Sequence, residues 1–443
     1  MSVNTPQSIT QAVGEGAVRF INLQFTDIVG TVKSVTVPAS RLGHVLANGV
    51  WFDGSSIEGF VRISESDMLL APDLDTFAII PWETQAHKTA RLICDVYTTD
   101  HDLFIGSPRT ALSAVMAEAA RMGYEYRVGP ELEFFLFETD ASGNPLPDAG
   151  YDKAGYFDAT ADRGTLVRND MINALEAFGI DVEAGHHEGA PGQHEIDFRY
   201  GNAVRTADNA VTLKYVFKAI AKQHGLYATF MPKPIKGING SGMHVHQSLA
   251  NLETGRNEFA DAADPYGLSK VAKHFLAGQL KHAQGMTAVV APLVNSYKRL
   301  VPGYEAPVCI SWARINRSAL VRVPRSSLPE GTRLELRSPD PSCNPYLAFA
   351  VMLKCGLDGI IHELPLPKPT EENLFESEWA RTGLQALPGT LGEALNDLEE
   401  DSVVQDALGP HIYERFLDAK RQEWDEYRLQ VSAWERERYL YVF

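Results

Sequence analysis

The chain has 443 residues, 44% of them hydrophobic and 22% charged, enough for two or three ordinary globular domains. Asp and Glu outnumber Lys and Arg by 57 to 40, a net charge of −17, which argues against a nucleic-acid or anionic-membrane partner. No run approaches the ~18 apolar residues of a transmembrane helix. The start, MSVNTPQSITQAVGEGAVRF, has neither the basic nor the apolar region of a signal peptide, and the scattered Cys94, Cys309, Cys343 and Cys355 read as reduced cytosolic thiols.

Residues 17–38 predict a hairpin: Ile21, Leu23 and Phe25 alternate, Asp27–Gly30 supplies a turn, and Val35 and Val37 lead to Pro38. A small mixed unit continues to Tyr97. Pro108–Arg109 then opens an Ala-rich helix over 109–122, so the boundary is expected near 105, between a first domain (1–105) and a second (106–443). Strand-like runs at 128–137, 194–200, 227–231, 243–249, 307–313, 319–323 and 333–337 alternate with helical patterns at 166–178, 207–224, 268–282 and 344–361. That mixture predicts the α+β class, with a curved antiparallel sheet in the large domain. The segment after residue 385 reads as helical and charged and ends in ERERYLYVF.

The stretch VGPELEFFLF (128–137) is a buried strand with two acids in it. Alternation puts Glu131 and Glu133 on one face, shared with Phe135 and Phe137. Like charges in low dielectric repel, and desolvation adds its own cost. HHEGAPGQHEIDF adds Glu188 and Glu195 around a Pro-Gly turn, and NGSGMHVHQSL places His244 and His246 on one strand face. RLELRSPDP sets Glu335 between two arginines, Arg333 and Arg337, expected on the opposite face. If these strands share a sheet, five glutamates and a histidine converge on its concave side. A lone Glu is most often a surface carboxylate, but several on strands of Phe, Leu and Ile need a cation. Oxygen-rich ligands favour Mg²⁺ or Mn²⁺, one imidazole is compatible with Mn²⁺, and five carboxylates call for more than one ion.

A cationic set accompanies the acids: Lys298 and Arg299 in NSYKRLVPGYEAPV, with Glu305, and Arg314, Arg317 and Arg322 in ARINRSALVRVPRS. Such arginines read as phosphate or carboxylate clamps, or as salt-bridge partners of the acids above. There is no P-loop, no protein-kinase motif set and no Rossmann fingerprint. Metals and arginines without a covalent nucleophile point to phosphoryl transfer by positioning and electrostatics.

FDGSSIEGF, GPELEFFLF, HHEGAPGQHEID, MPKP, NGSGMH, NSYKRLVPGYEAP, NRS and RLELRSPDPSCNPYLA stand in the order and spacing of one family. The chain resembles, over essentially its whole length, glutamine synthetase of class I, and within it the bacterial and archaeal alpha subgroup. The resemblance implies a β-grasp-like first domain and a catalytic second domain with a curved antiparallel sheet. It also implies a cytoplasmic homo-dodecamer of two stacked hexameric rings with active sites between neighbours. The implied reaction is ATP-dependent ligation of ammonia to L-glutamate through γ-glutamyl phosphate, with at least two Mg²⁺ or Mn²⁺ ions per site.

Carried over position by position, Glu133, Glu188 and Glu195 would hold one cation near glutamate and ammonia, and Glu131, His244 and Glu335 another near the nucleotide phosphates. Asn239, Gly240, His246 and Arg299 match glutamate-binding positions; Arg317 and Arg337 match those stabilising the transferring phosphoryl group. Glu183, Tyr200, Ser248, Arg322 and Arg333 match nucleotide contacts. Asp53, from a neighbouring subunit, matches the ammonium-binding base, Ser56 and Tyr156 would line that pocket, and Glu305 would close a flap over the intermediate. Arg62 matches a position tied to feedback by glutamine; its plain alternative is a surface arginine. Glu330 stands where some relatives have lysine, and Phe375 where the beta subgroup has an adenylylated tyrosine. The rival activities are ligation of a polyamine or ethanolamine instead of ammonia, a catalytically dead structural relative, and a phosphagen-kinase-like transfer. A nitrogen-regulatory partner of the PII type is a further expectation.

Overall fold

The computed structural model describes residues 4–55, 57, 59, 67–147, 151–372, 374 and 383–443. Ser56, Arg62 and Phe375 lie outside the described residues.

The first sheet forms from β1 (Phe20–Thr26), β2 (Val32–Pro38), β3 (Val50–Asp53), β4 (Asp67–Pro72), β5 (Ala78–Ile79) and β6 (Thr89–Tyr97). Its order is β2-β1-β6-β4-β3, with β5 also on β6. The expected hairpin is β1–β2, and β6 lies parallel to β1, as in a β-grasp. Ile21, Leu23, Leu70, Leu92 and Val96 face inward against two helices that periodicity did not reveal, α1 (Pro6–Glu15) and α2 (Leu42–Asn48). Thr5 and Ser8 make a capping box at the start of α1.

The second sheet centres on β7 (Tyr124–Glu138). Around it run β8 (Val182–His187), β9 (Gln193–Phe198), β10 (Gly201–Asn202), β11 (Leu226–Thr229), β12 (Met243–Asn251), β13 (Trp312–Ala313), β14 (Val321–Arg322) and β15 (Leu334–Leu336). The order is β13-β14-β15-β12-β7-β9-β8, with β10 and β11 also on β7, all antiparallel except β13–β14. The runs at 307–313 and 319–323 shorten to two residues each, because Asn316 spends its side chain on the Thr370 and Glu372 carbonyls and on Ser318. That fixes a loop between them.

Against one face of this sheet pack α3 (Pro108–Arg121), α4 (Thr165–Ala177), α5 (Ala203–Gln223), α6 (Lys270–Lys281), α7 (Ala283–Val290) and α8 (Pro345–Ile361). Among the described residues α9 (Leu391–Glu400), α10 (Ser402–Arg428), kinked at Gly409–Pro410, and α11 (Ala433–Tyr439) follow. Leu132, Phe134 and Leu136 of β7 enter this core with Val245, Leu334 and Leu336, which leaves the alternate residues of the same strands for the other face.

Arg109, in the first turn of α3, joins the two units. It donates to Asp95 of β6 at 2.6 Å, to Asp73, and to Asp208 of α5 at 3.1 Å. Asn344 reinforces the joint by donating to the Asp27 carbonyl at 2.9 Å. All four cysteines are buried and unbridged. Among the described residues no helix is long and apolar enough to cross a membrane.

Candidate active site

Strand register assembles the acids. On β7, Glu131 lies opposite Asp197 of β9 on one side and His244 of β12 on the other, and Glu133 lies opposite Glu195. His246 lies opposite Glu335 of β15. Period-two alternation therefore collects all of them on the face turned away from the main core. It also corrects one expectation: Arg333, Glu335 and Arg337 share that face, and Leu334 and Leu336 take the opposite one.

Two cavities open on this face and meet at Glu131 and Asp197, which line both. The larger, about 460 Å³, is lined by Glu133, Glu188, Glu195, His244, Glu335, Arg299, Arg317, Arg322, Arg337, Asn239, Gly240, Tyr156 and Glu305. The other, about 330 Å³, is lined by Glu183, Tyr200, Ser248, Arg333, Glu330 and His246. His246 thus lines the same cavity as Ser248 and Arg333, and not the one lined by Asn239, Gly240 and Arg299, with which it was grouped. Arg322 likewise lines the larger cavity and not the one with the other expected nucleotide contacts. Asp53 lines neither; it ends β3 in the first domain.

Glu131 accepts from His246 Nε2 at 2.7 Å and lies 3.4 Å from His244 Nδ1. Burial raises its pKa, but these histidine contacts outweigh burial and hold the carboxylate below its usual range. Glu335 is 1% exposed. Burial would protonate it, yet Arg337 first, with Arg322 on its other oxygen, keeps it ionised. Burial, with Arg337 nearby, pushes His244 down to about 4, so its imidazole is neutral and able to donate a lone pair.

The other cluster has no such balance. Burial, followed by the Glu188 carboxylate, pushes Glu133 up to about 8 despite Arg299 and an amide hydrogen bond from Gly242 at 3.0 Å. Burial and then Asp197, Glu133, Glu131 and Glu188 drive Glu195 upward, and burial with Glu131 pushes Asp197 up to about 7. His186 meets Glu188 at 2.9 Å and Glu195 at 3.8 Å. Ligand atoms of Glu131, His244 and Glu335 lie within 4.8 Å of one another, as do those of His186, Glu188 and Glu195. Oxygen donors with a single imidazole in each group fit Mg²⁺ or Mn²⁺, and the displaced pKa values mark charge that a cation would relieve.

The surrounding residues are set by close packing. Arg299 is 2% exposed and donates to the carbonyls of Arg337, Ser338 and Pro339, which fixes its guanidinium at the cavity wall. A Cβ on Gly242 would lie 2.4 Å from Arg299 Nη2, so glycine is required there. Gly129 similarly lets Tyr200 close on β7, a Cβ meeting that of Tyr200 at 2.9 Å. Glu305 has φ of 56°, a left-handed conformation that costs a side-chain-bearing residue energy and clusters at functional sites.

His186, Asp197, Gln193 and Tyr304 also line the larger cavity and were not picked out from the sequence. Asp197 follows Glu195 by two in HEIDF, the same spacing that singled out Glu131 and Glu133. His186 precedes Glu188 by two.

The sequence matches the family described as "Glutamine synthetase, beta-Grasp domain" over residues 17–99 and "Glutamine synthetase, catalytic domain" over 105–439. The chain belongs to the glutamine synthetase family. It is 54% identical to a glutamine synthetase of Clostridium saccharobutylicum over 99% of each chain, and 51% identical to one of Thermotoga maritima over 99% of this chain and 100% of that one. A solved structure described as a GmaS/ADP complex superposes with a TM-score of 0.87 at 33% identity, covering 98% of this chain and 99% of the other. The family is one of ATP-using ligases dependent on Mg²⁺ or Mn²⁺, and the fold is the α+β arrangement of a β-grasp domain and a curled antiparallel sheet with flanking helices.

Proposed function

We propose that this chain makes L-glutamine from L-glutamate and ammonia, driven by ATP through γ-glutamyl phosphate. Membership of its family supports the glutamate–ammonia ligase activity, and the site supports the route. The observation that carries the reading is the junction of two cavities at Glu131 and Asp197, one rich in carboxylates and arginines, the other in nucleotide-type contacts.

Glu133, Glu188 and Glu195 would hold one divalent cation and Glu131, His244 and Glu335 the other, and such ions would supply Lewis-acid stabilisation of phosphoryl charge. Arg299 and Asn239 seat glutamate, with its γ-carboxylate toward the acidic cluster. Arg317 and Arg337 stabilise charge on the transferring phosphoryl group. Glu183, Tyr200, Ser248 and Arg333 hold the nucleotide, with His246 now on their side. Glu305 covers the intermediate and keeps water out. Asp53 binds ammonium and takes its proton, delivered from the neighbouring subunit of a cytoplasmic ring assembly. That it lines neither cavity of its own chain favours that arrangement. Asp53→Ala abolishes synthesis, and co-assembly with Glu133→Ala restores part of it; dead hybrids would refute shared sites.

The likeness to GmaS structures favours one second reading, ligation of another amine. ATP-dependent product formation with ammonia, putrescine and ethanolamine side by side separates the two. Glutamine formation with ammonia alone is expected; turnover with an amine but not ammonia overturns the proposal. Control follows the same resemblance: glutamine inhibits directly, Arg62→Ala relieves it, and Phe375 precludes adenylylation. Dose–response curves on both proteins test this, equal inhibition constants removing Arg62 from the mechanism.

A further inference from the structure

Lys233 stands in the segment 231–242 that leads into β12. It is 9% exposed, yet among the described residues its ammonium forms no ion pair. It has two partners: it donates to the Ile238 carbonyl oxygen, and it sits over the Tyr304 ring, 3.8 Å from the centroid. Asn295 clamps its backbone from both sides. The Lys233 amide donates to Asn295 Oδ1 at 2.8 Å, and its carbonyl accepts from Asn295 Nδ2 at 3.1 Å.

Both partners adjoin the larger cavity. Ile238 precedes Asn239, and Tyr304 precedes Glu305, the residue in the left-handed conformation. Lys233 itself does not line that cavity. A buried ammonium without a carboxylate is costly unless other groups solvate it, and here a carbonyl and a ring face do so. Moving Tyr304 away removes one of the two.

We propose that Lys233 is a positioning residue that latches the Glu305 flap to the Asn239 loop. The inference rests on the reaction proposed above. There a γ-carboxylate oxygen bonds to the terminal phosphorus of ATP as the bond from that phosphorus to the bridging oxygen breaks, releasing ADP. The ammonia nitrogen then bonds to the γ-carbon, the C–O bond to phosphate breaks, phosphate leaves, and the surplus proton passes to a carboxylate. If water adds instead of ammonia, the products are glutamate and phosphate, and ADP appears without glutamine. The latch keeps those two outcomes apart.

The test is the ratio of ADP to glutamine at limiting ammonia in the full-length enzyme. The wild type gives one glutamine per ADP. Lys233→Met and Tyr304→Leu each release ADP in several-fold excess, while Lys233→Arg and Tyr304→Phe, which keep the cation and the ring, restore tight coupling. A fall in rate with the ratio unchanged in Tyr304→Leu overturns the latch, and so does equal leakage in Tyr304→Phe and Tyr304→Leu. Tyr304 lies on a surface segment, so its variants decide the matter even where Lys233→Met fails to fold. Failure of the wild type to form glutamine from ATP, glutamate and ammonia would sink the proposed function first, and this inference with it.

Discussion

Glu335 on β15 and Glu195 on β9 are both buried carboxylates at one cleft, 1% and 6% exposed, but burial has opposite outcomes for them. Glu335 is surrounded by Arg337, Arg322 and two histidines and stays ionised. Glu195 faces Asp197, Glu133 and Glu188 and is driven toward its protonated form. One end of the site carries its own counter-charge; the other is built around a charge that must come from outside. A site made this way binds its second cation in competition with protons.

The comparison breaks most visibly when a carboxylate of the unbalanced end is neutralised. Glu195→Gln replaces a carboxyl that folding forces to take up a proton, so the metal-free protein gains stability while kcat falls by about two to three orders of magnitude, several kcal/mol of lost phosphoryl stabilisation. Thermal melts and turnover on the same samples test this, and a lower metal-free Tm would contradict the electrostatic account. At the balanced end the sign reverses. Arg337→Met leaves Glu335 with Arg322 as its one arginine and costs about 1–3 kcal/mol of stability, measured by urea unfolding without metal.

The contrast sharpens with pH. Glu133 rises to about 8 and Asp197 to about 7 in the folded chain, above the ordinary carboxylate values of ~4. Between those limits the folded protein holds protons that the unfolded chain has released, so raising pH favours unfolding. The metal-free Tm therefore falls as pH rises from 5 toward 8, by about 1 °C per kcal/mol for a chain of this length. Added Mn²⁺ gives a stabilisation that grows over the same window. A metal effect independent of pH would remove the proton competition. The smallest effect is expected outside the site: Arg199 and Asp181 pair at 3.4 Å with both side chains about two-thirds exposed, so Arg199→Gln changes stability by less than ~1 kcal/mol.

Much of this site was legible because strand alternation is local. Glu131 beside Glu133 needed only the period of two, and β7 contains the expected run 128–137 and extends it to Tyr124–Glu138. Asp197 was legible by the same rule from Glu195, and Arg333, Glu335 and Arg337 belonged on one face by it. What the period cannot supply is register. Nothing local says that Glu131 pairs with both Asp197 and His244, or that His246 faces the second cavity, since these follow from which strands flank β7. The Lys233–Tyr304 contact joins residues 71 apart through two loops, where no periodicity runs. In the first domain, α1 and α2 escaped because both are short and their apolar faces are narrow.

The Arg109 joint bears on how the molecule could come apart. One guanidinium serves Asp73 and Asp95 of the first domain and Asp208 of the second, and Tyr346 also donates to Asp208 at 2.7 Å. Separating the domains would strip Asp73 and Asp95 of Arg109, which would keep Asp208 as its partner, so the first domain cannot loosen without leaving two carboxylates unpaired. The first domain then acts as a rigid arm cantilevered from α3. Whatever surface receives Asp53 at the end of that arm meets it at a bearing set by Arg109 and Asn344, side chains that line neither cavity.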